Sequence, residues 1–199
     1  MLTATQIEAE ERYGTDNPVF NYRWEHVQAV VALARKLAAE TGADAEIVEA
    51  AAWLHDIAKQ TAGQKHPEIG ALYAREFLPQ TDFPQEKVEA VAQAIEQHMG
   101  LWRDEPLESL EAAVLWDADK LAKIGLTAAF HWMGMWFAKD KTITSDELVR
   151  RGRKQDWLDK TVASMHTAPA QKAAQQRIER YYALWDNLEA ELNGDDLSQ

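Results

Sequence analysis

The stretch Ala51-Ala52-Trp53-Leu54-His55-Asp56-Ile57-Ala58 constrains this chain more than any other. An imidazole and a carboxylate stand side by side at the end of an apolar helical run. Burying both is costly unless something compensates them. A divalent cation compensates both, provided that the fold brings it further ligands. The sequence offers such ligands on either side, at His26, His66, His98 and Asp119. The chain must therefore fold so that several separate segments converge on one point.

Those segments are predicted to be helices. Ala, Leu, Glu, Gln and Lys dominate and alternating β-branched runs are scarce, so the expected class is all-α. With 199 residues, 46% of them apolar and eight of them Trp, the chain can bury a substantial core. One domain over 1–199 is expected, its ligand-bearing core at about 20–138 and helices of 143–193 packed on it. A net charge of −12 argues against a nucleic-acid binder and leaves any phosphate substrate dependent on local cations. No apolar run is long enough for a membrane, and Met1-Leu2-Thr3-Ala4-Thr5-Gln6 lacks the basic-then-apolar order of a signal peptide. Without Cys there is neither a disulfide nor a thiolate metal site, and a cytoplasmic location is expected.

Helices are predicted over 3–12, from Tyr22 to Glu40, from an Asp44 cap to Lys59, from Pro67 to before Pro79, after Pro84, from Leu107 to Lys123, over 125–138 and over 169–193. Asn17-Pro18 reads as a break, Thr61-Ala62-Gly63-Gln64 and Gly100–Pro106 as loops, and 139–156 as a polar segment with a helix starting at Ser145-Asp146. The last helix repeats Ala174, Ile178, Tyr181, Trp185, Leu188 and Leu192 four and three apart. That stripe packs on the body of the domain or on a second subunit, which leaves a homodimer open.

Taken singly, His26, His66 and His98 are ordinary core or surface residues. Together with His55-Asp56 they make a ligand set, and imidazole plus carboxylate suits Mn, Fe, Co, Ni or Zn, as one ion or two. The stretch Trp116-Asp117-Ala118-Asp119-Lys120-Leu121 places two acids inside an apolar helix. Residues two apart on a helix point to nearly opposite sides, so one is a ligand and the other structural, such as a hydrogen-bond acceptor. Periodicity alone does not choose between them.

The order His26, His55-Asp56, His98, Asp119 resembles the HD-domain superfamily of metal-dependent phosphohydrolases, and the resemblance covers roughly residues 20–138. Glu111 to Leu121, followed by Ile124-Gly125, is similar to small bacterial HD hydrolases, which read Glu-Ala-x-Ile-x-x-Asp-Ala-Asp-Arg-Leu-Asp-Ala-x-Gly there. Met165-His166-Thr167 and the final helix, with Arg177, Arg180 and Tyr181, resemble that branch too; some of its members are nucleotide pyrophosphohydrolases. The resemblance implies a helical bundle whose metal ligands are His26, His55, Asp56 and Asp119. It implies that His66 and His98 hold a second ion or contact phosphate. Three departures stand out: Lys120 and Ala122 where that branch has Arg and Asp, His131 where it tends to have Arg, and Ile57-Ala58-Lys59-Gln60 where 5′-deoxynucleotidases carry an acid just after the His-Asp pair. Substrate recognition is therefore expected to differ from that of the nearest relatives.

The expected chemistry is hydrolysis of a nucleotide phosphate ester or anhydride, for example a nucleoside triphosphate or a dinucleoside polyphosphate. Asp56 binds metal, bridging two ions if two are present, and Lys59 holds a transition-state oxygen. Arg23, Lys120 and His131, with Lys65, are expected to contact phosphate, and Trp102 to stack a base from its loop. Trp132, Trp136 and Phe137 are expected in the core. A non-catalytic nucleotide or alarmone sensor and a di-iron oxygenase are the rival readings of the same ligand set.

Overall fold

The computed structural model describes residues 1–15 and 22–198; the expected break at Asn17-Pro18 lies outside them. Among the described residues the chain is all-α, with no strand. In order come α1 (Leu2–Tyr13), α2 (Tyr22–Thr41), α3 (Ala45–Leu54), α4 (Lys59–Ala62), α5 (His66–Phe77), α6 (Val88–Glu96), α7 (Leu110–Leu121), α8 (Leu126–Lys139), α9 (Ser145–Arg153), α10 (Trp157–Ala163) and α11 (Ala168–Asn193). None of these helices is long and apolar enough to cross a membrane.

Local chemistry sets several of the starts. Asp44 accepts from the amides of Glu46 and Ile47 at 3.0 and 3.3 Å and caps α3. Ser109 caps α7 through Ala112 N at 3.0 Å, and Thr144 caps α9 through Glu147 N at 3.3 Å. These side chains satisfy amides that a helix start leaves unpaired. Proline opens α5 and α11, where its missing N–H is not needed.

The core lies where α2, α3, α6 and α7 pack against one another, with α5 against α6. Helix α7 is the central element: every residue from Ala112 to Leu121 is buried, including Asp117, Asp119 and Lys120. Helix α11 lays Ala170, Ala174, Ile178, Tyr181 and Trp185 on the body of the domain, whereas Leu192 at the end of the stripe is exposed. Two glycines permit this docking. A Cβ on Gly152 would lie 2.2 Å from the Trp185 ring, and Tyr181 Oη donates to the Gly152 carbonyl at 2.9 Å. Gly125, at φ +78°, faces the Arg177 stem, 2.8 Å from where its Cβ would be.

Three local expectations need correction. The third helix stops at Leu54 rather than running to Lys59. His55 N still bonds Ala51 O at 2.8 Å, but Ile57 N and Lys59 N then close tighter turns on Leu54 O and Asp56 O, each at 3.0 Å. The expected loop at 61–64 is taken up by the end of α4 and a 3₁₀ turn over Gly63–Lys65. The polar stretch after α9 forms an unanticipated short helix, α10, because Leu158 and Thr161 on one face are buried.

Candidate metal centre

Six side chains from five segments meet at one place. His26 projects from the second turn of α2, and His55 and Asp56 from the turn that ends α3. His66 opens α5, His98 follows the end of α6, and Asp119 sits in α7. His55 and Asp56, successive residues of the turn that ends α3, both reach the site, with His55 Nε2 and Asp56 Oδ2 3.7 Å apart. All six are buried.

They fall into two groups, His26 with His55 and Asp119, and His66 with His98 and Asp56; within each, one donor atom per residue lies within 4.8 Å of the others. Asp56 joins the groups. Its Oδ2 is 3.7 Å from His55 Nε2 and 4.0 Å from His26 Nε2, while its Oδ1 is 3.2 Å from His66 Nε2 and 3.7 Å from His98 Nε2. Asp119 Oδ1 closes the first group, 3.0 Å from His26 Nε2 and 3.8 Å from His55 Nε2.

The imidazoles are oriented as ligands. Nδ1 of His55, His66 and His98 faces the carbonyl three residues earlier, at 2.7, 2.7 and 2.5 Å. A carbonyl only accepts, so each Nδ1 carries the proton and each Nε2 presents a lone pair to the site. His66 Nε2 and His98 Nε2 are then 3.1 Å apart with Asp56 Oδ1 beside them, which is a cluster of acceptors. His26 Nε2 and His55 Nε2 are buried without a hydrogen bond. Acceptors crowded this way in a dry interior fit cations, and imidazole with carboxylate is a transition-metal donor set. Burial lowers His26 and His98 to about 4 and lowers His55 as well, so these rings stay neutral and able to ligate. Burial alone would raise Asp56, but the Arg23 guanidinium donating to its Oδ2 counters this, and the carboxyl stays well below the usual range. Asp119 is held down in the same way against burial, by Lys120, Lys123 and His26.

Asp117 is the other acid of α7, and its carboxylate is turned away from this cluster. It accepts from His166 N and Thr167 N, both at 2.8 Å, and from Thr167 Oγ1 at 2.7 Å. It thus caps α11 from another helix, where Thr167, the residue in the cap position, makes no capping bond of its own.

A cleft of about 410 Å³ opens beside Asp56, lined by Tyr22, Arg23, Lys59, Leu101, Lys123, Ala128, His131, Trp132 and Trp157 as well. Arg23 Nη1 donates to Asp56 Oδ2 at 2.6 Å, and Lys59 Nζ lies 3.2 Å from His66 Nε2. His131 stacks on Tyr22 at a centroid distance of 3.2 Å, and burial, with Arg23 close by, lowers it to about 4.

Three expectations do not fit this geometry. Lys120 does not line the cleft; it is fully buried, donates to His98 O at 2.7 Å and to Asp119, and lies 4.1 Å from the Trp116 ring centroid. It holds Asp119 and the His98 turn from behind. Trp102 lies in a separate depression with Lys160 over its ring at 5.2 Å, and its neighbour Leu101 lines the cleft instead. Of the aromatics expected in the core, Trp132 and Trp136 are half-buried and pack against it, Trp132 lining the cleft as well, but Phe137 is exposed. The site also contains Lys123, whose Nζ is 2.7 Å from Asp119 Oδ1. Its only sign in the sequence is its place four residues after Asp119.

The HD domain family model matches residues 23–124. No curated protein matches the chain. Among solved structures, a predicted HD superfamily hydrolase from an uncultured Thermotogales bacterium is 26% identical, with 96% of this chain and 91% of that chain covered and a TM-score of 0.64. An HD-superfamily hydrolase of Bacillus thuringiensis is 20% identical, with 96% of each chain covered and a TM-score of 0.67. Bacillus subtilis YpgQ in complex with ADP is 22% identical, with 96% of this chain and 92% of that chain covered and a TM-score of 0.66. The matched residues span more than half of the chain and carry all six converging side chains, so this protein belongs to the HD-domain family of metal-dependent phosphohydrolases.

Proposed function

We propose that the protein hydrolyses a phosphate ester or anhydride of a nucleotide with two divalent transition-metal ions. The split environment of Asp56 carries this reading: one carboxylate oxygen faces His26 and His55, the other faces His66 and His98. His26, His55, Asp119 and Asp56 would hold one ion; Asp56, His66 and His98 would hold the other. Such ions supply activated water near neutral pH and positive charge at the phosphoryl group.

The chain's own groups do the remaining work. Lys59 and Lys123 border the cleft and give a net-negative protein the local positive charge that a phosphate needs. Lys59, beside Asp56, is placed to take charge developing on an equatorial oxygen as water adds to phosphorus and the bond to the leaving oxygen breaks. Trp132, Trp157 and Leu101 form apolar walls against which a nucleobase can stack, and the bound ADP of YpgQ supports a nucleotide in a fold of this kind. The cleft volume lies within the ordinary range for small-molecule sites, roughly 300–1,000 Å³.

The test is release of phosphate or pyrophosphate from a panel of nucleoside mono-, di- and triphosphates and dinucleoside polyphosphates with Mn, Fe, Co or Ni. Turnover abolished by Asp56→Ala with the fold retained supports the assignment. Nucleotide binding without turnover at full metal loading points to a sensor, and oxygen consumption by the iron form points to an oxygenase.

A further inference from the structure

The first helix, outside the segment that the family model matches, contributes a buried carboxylate that bonds to Arg23 on the border of the cleft. Glu8 Oε2 accepts from Arg23 Nε at 3.1 Å, and Arg23 Nη1 in turn reaches Asp56 Oδ2 at 2.6 Å. The Glu8 side chain is 6% exposed and that of Arg23 15%. A guanidinium carries five N–H groups in a rigid fork. Glu8 and Asp56 take the Nε and Nη1 groups, while Nη2 bonds to neither and Arg23 borders the cleft. We infer that Glu8 is a positioning residue, fixing the Arg23 guanidinium so that its remaining edge meets a phosphate oxygen of the substrate. The inference rests on the phosphohydrolase reading above.

Charge alone does not make Glu8 an aid to phosphate binding. A carboxylate beside a phosphate site offsets the attraction of Arg23, so what it contributes to phosphate binding is orientation. Arg loses much rotamer freedom when a ligand fixes it, and a side chain already held by two carboxylates has lost that freedom beforehand. Docking of α1 does not depend on Glu8 alone: Thr5 and Ala9 are buried, and Gln60 donates to Glu11 at 2.8 Å.

Orientation and charge predict opposite signs, which makes the test decisive. Inorganic pyrophosphate is titrated calorimetrically into the metal-loaded full-length protein. Glu8→Ala weakens binding roughly three- to tenfold if it releases one otherwise immobilised side chain. Glu8→Gln keeps an acceptor for Nε and lies between Ala and the wild type. In an Arg23→Ala background, Glu8→Ala changes nothing further. With the hydrolysed nucleotide, the Glu8 variants raise KM and leave kcat nearly unchanged. Tighter or unchanged binding in Glu8→Ala, or an undiminished effect without Arg23, overturns the inference. If Glu8→Ala does not fold, Glu8→Gln decides by the same sign. A wild type that binds no pyrophosphate and turns over no nucleotide removes the phosphohydrolase reading itself, whereas normal wild-type binding with unaffected variants removes only the role of Glu8.

Discussion

Replacing Asp117 by Ala should unfold the protein far more readily without emptying the metal centre. The carboxylate is fully buried and takes three hydrogen bonds of 2.7–2.8 Å from the His166 and Thr167 amides and the Thr167 hydroxyl. Hydrogen bonds to a charged group contribute about 1.5–3 kcal/mol each, and buried donors left without a partner cost about 1–3 kcal/mol. Against this stands the cost of burying the carboxylate, which raises the Asp117 pKa and offsets part of the gain. The net loss expected is about 3–5 kcal/mol, in the range for breaking a buried polar network. For a chain of this size that corresponds to a fall in Tm of roughly 6–20 °C, taking about 2–4 °C per kcal/mol. Urea unfolding of the metal-free protein followed by far-UV circular dichroism measures it, and the metal content of the loaded protein is measured beside it. A loss below about 1 kcal/mol would refute the capping argument. Lost metal at undiminished stability would show that the two acids of α7 have been assigned the wrong way round.

Three further outcomes follow from particular contacts. Metal analysis of the fully loaded wild type should find two divalent ions per chain and His66→Ala only one; an unchanged stoichiometry would remove His66 from the ligand set. Gly152→Ala forces a methyl to within 2.2 Å of the Trp185 ring and should destabilise by about 1–3 kcal/mol or more in urea unfolding; a neutral result would place α9 and α11 further apart than the structure does. His131 is lowered to about 4 in the folded protein by burial, against 6.5 for the ordinary group, so on acidification the unfolded chain takes up the proton first. Its contribution is present at neutral pH and is lost as pH falls from about 7 towards 4, amounting to about 1–2 kcal/mol at pH 5. His131→Gln should flatten the pH dependence of stability by that amount, and an unaltered slope would show that His131 is solvated.

The six converging side chains were legible because their residue types are out of place. Imidazoles and carboxylates in apolar helices ask for a compensating partner, and the His-Asp pair with its distant partners asks for one together. The helices were legible for the usual reason, with caps such as Asp44 and prolines such as Pro67 marking their starts. The end of α3 was not, since the turn at His55–Ala58 contains neither Gly nor Pro. The position of a loop residue was also out of reach: nothing local decides that Leu101 rather than Trp102 faces the cleft. The partner of Asp117 lies about 50 residues along the chain, so periodicity could divide the labour between the two acids of α7 without allotting it.

Lys120 shows how a correct rule reaches a wrong place. A cation beside a ligand acid in a phosphate-cleaving fold reads as a substrate contact, yet the helix that carries it is buried all round. In the interior its charge serves Asp119, with the Trp116 face and the His98 carbonyl supplying the rest of its environment. Burial lowers Lys120 to about 8 even with Asp119 against it, and at neutral pH it remains largely protonated. The cation that reaches both Asp119 and the cleft is Lys123, one turn on and 24% exposed. One carboxylate thus holds two ammonium groups, that of Lys120 on α7, sealed in the interior, and that of Lys123 in the turn after it, facing the cleft. The distinction depends on how far around α7 its neighbours extend, and that is a property of the packed bundle rather than of the spacing of residues.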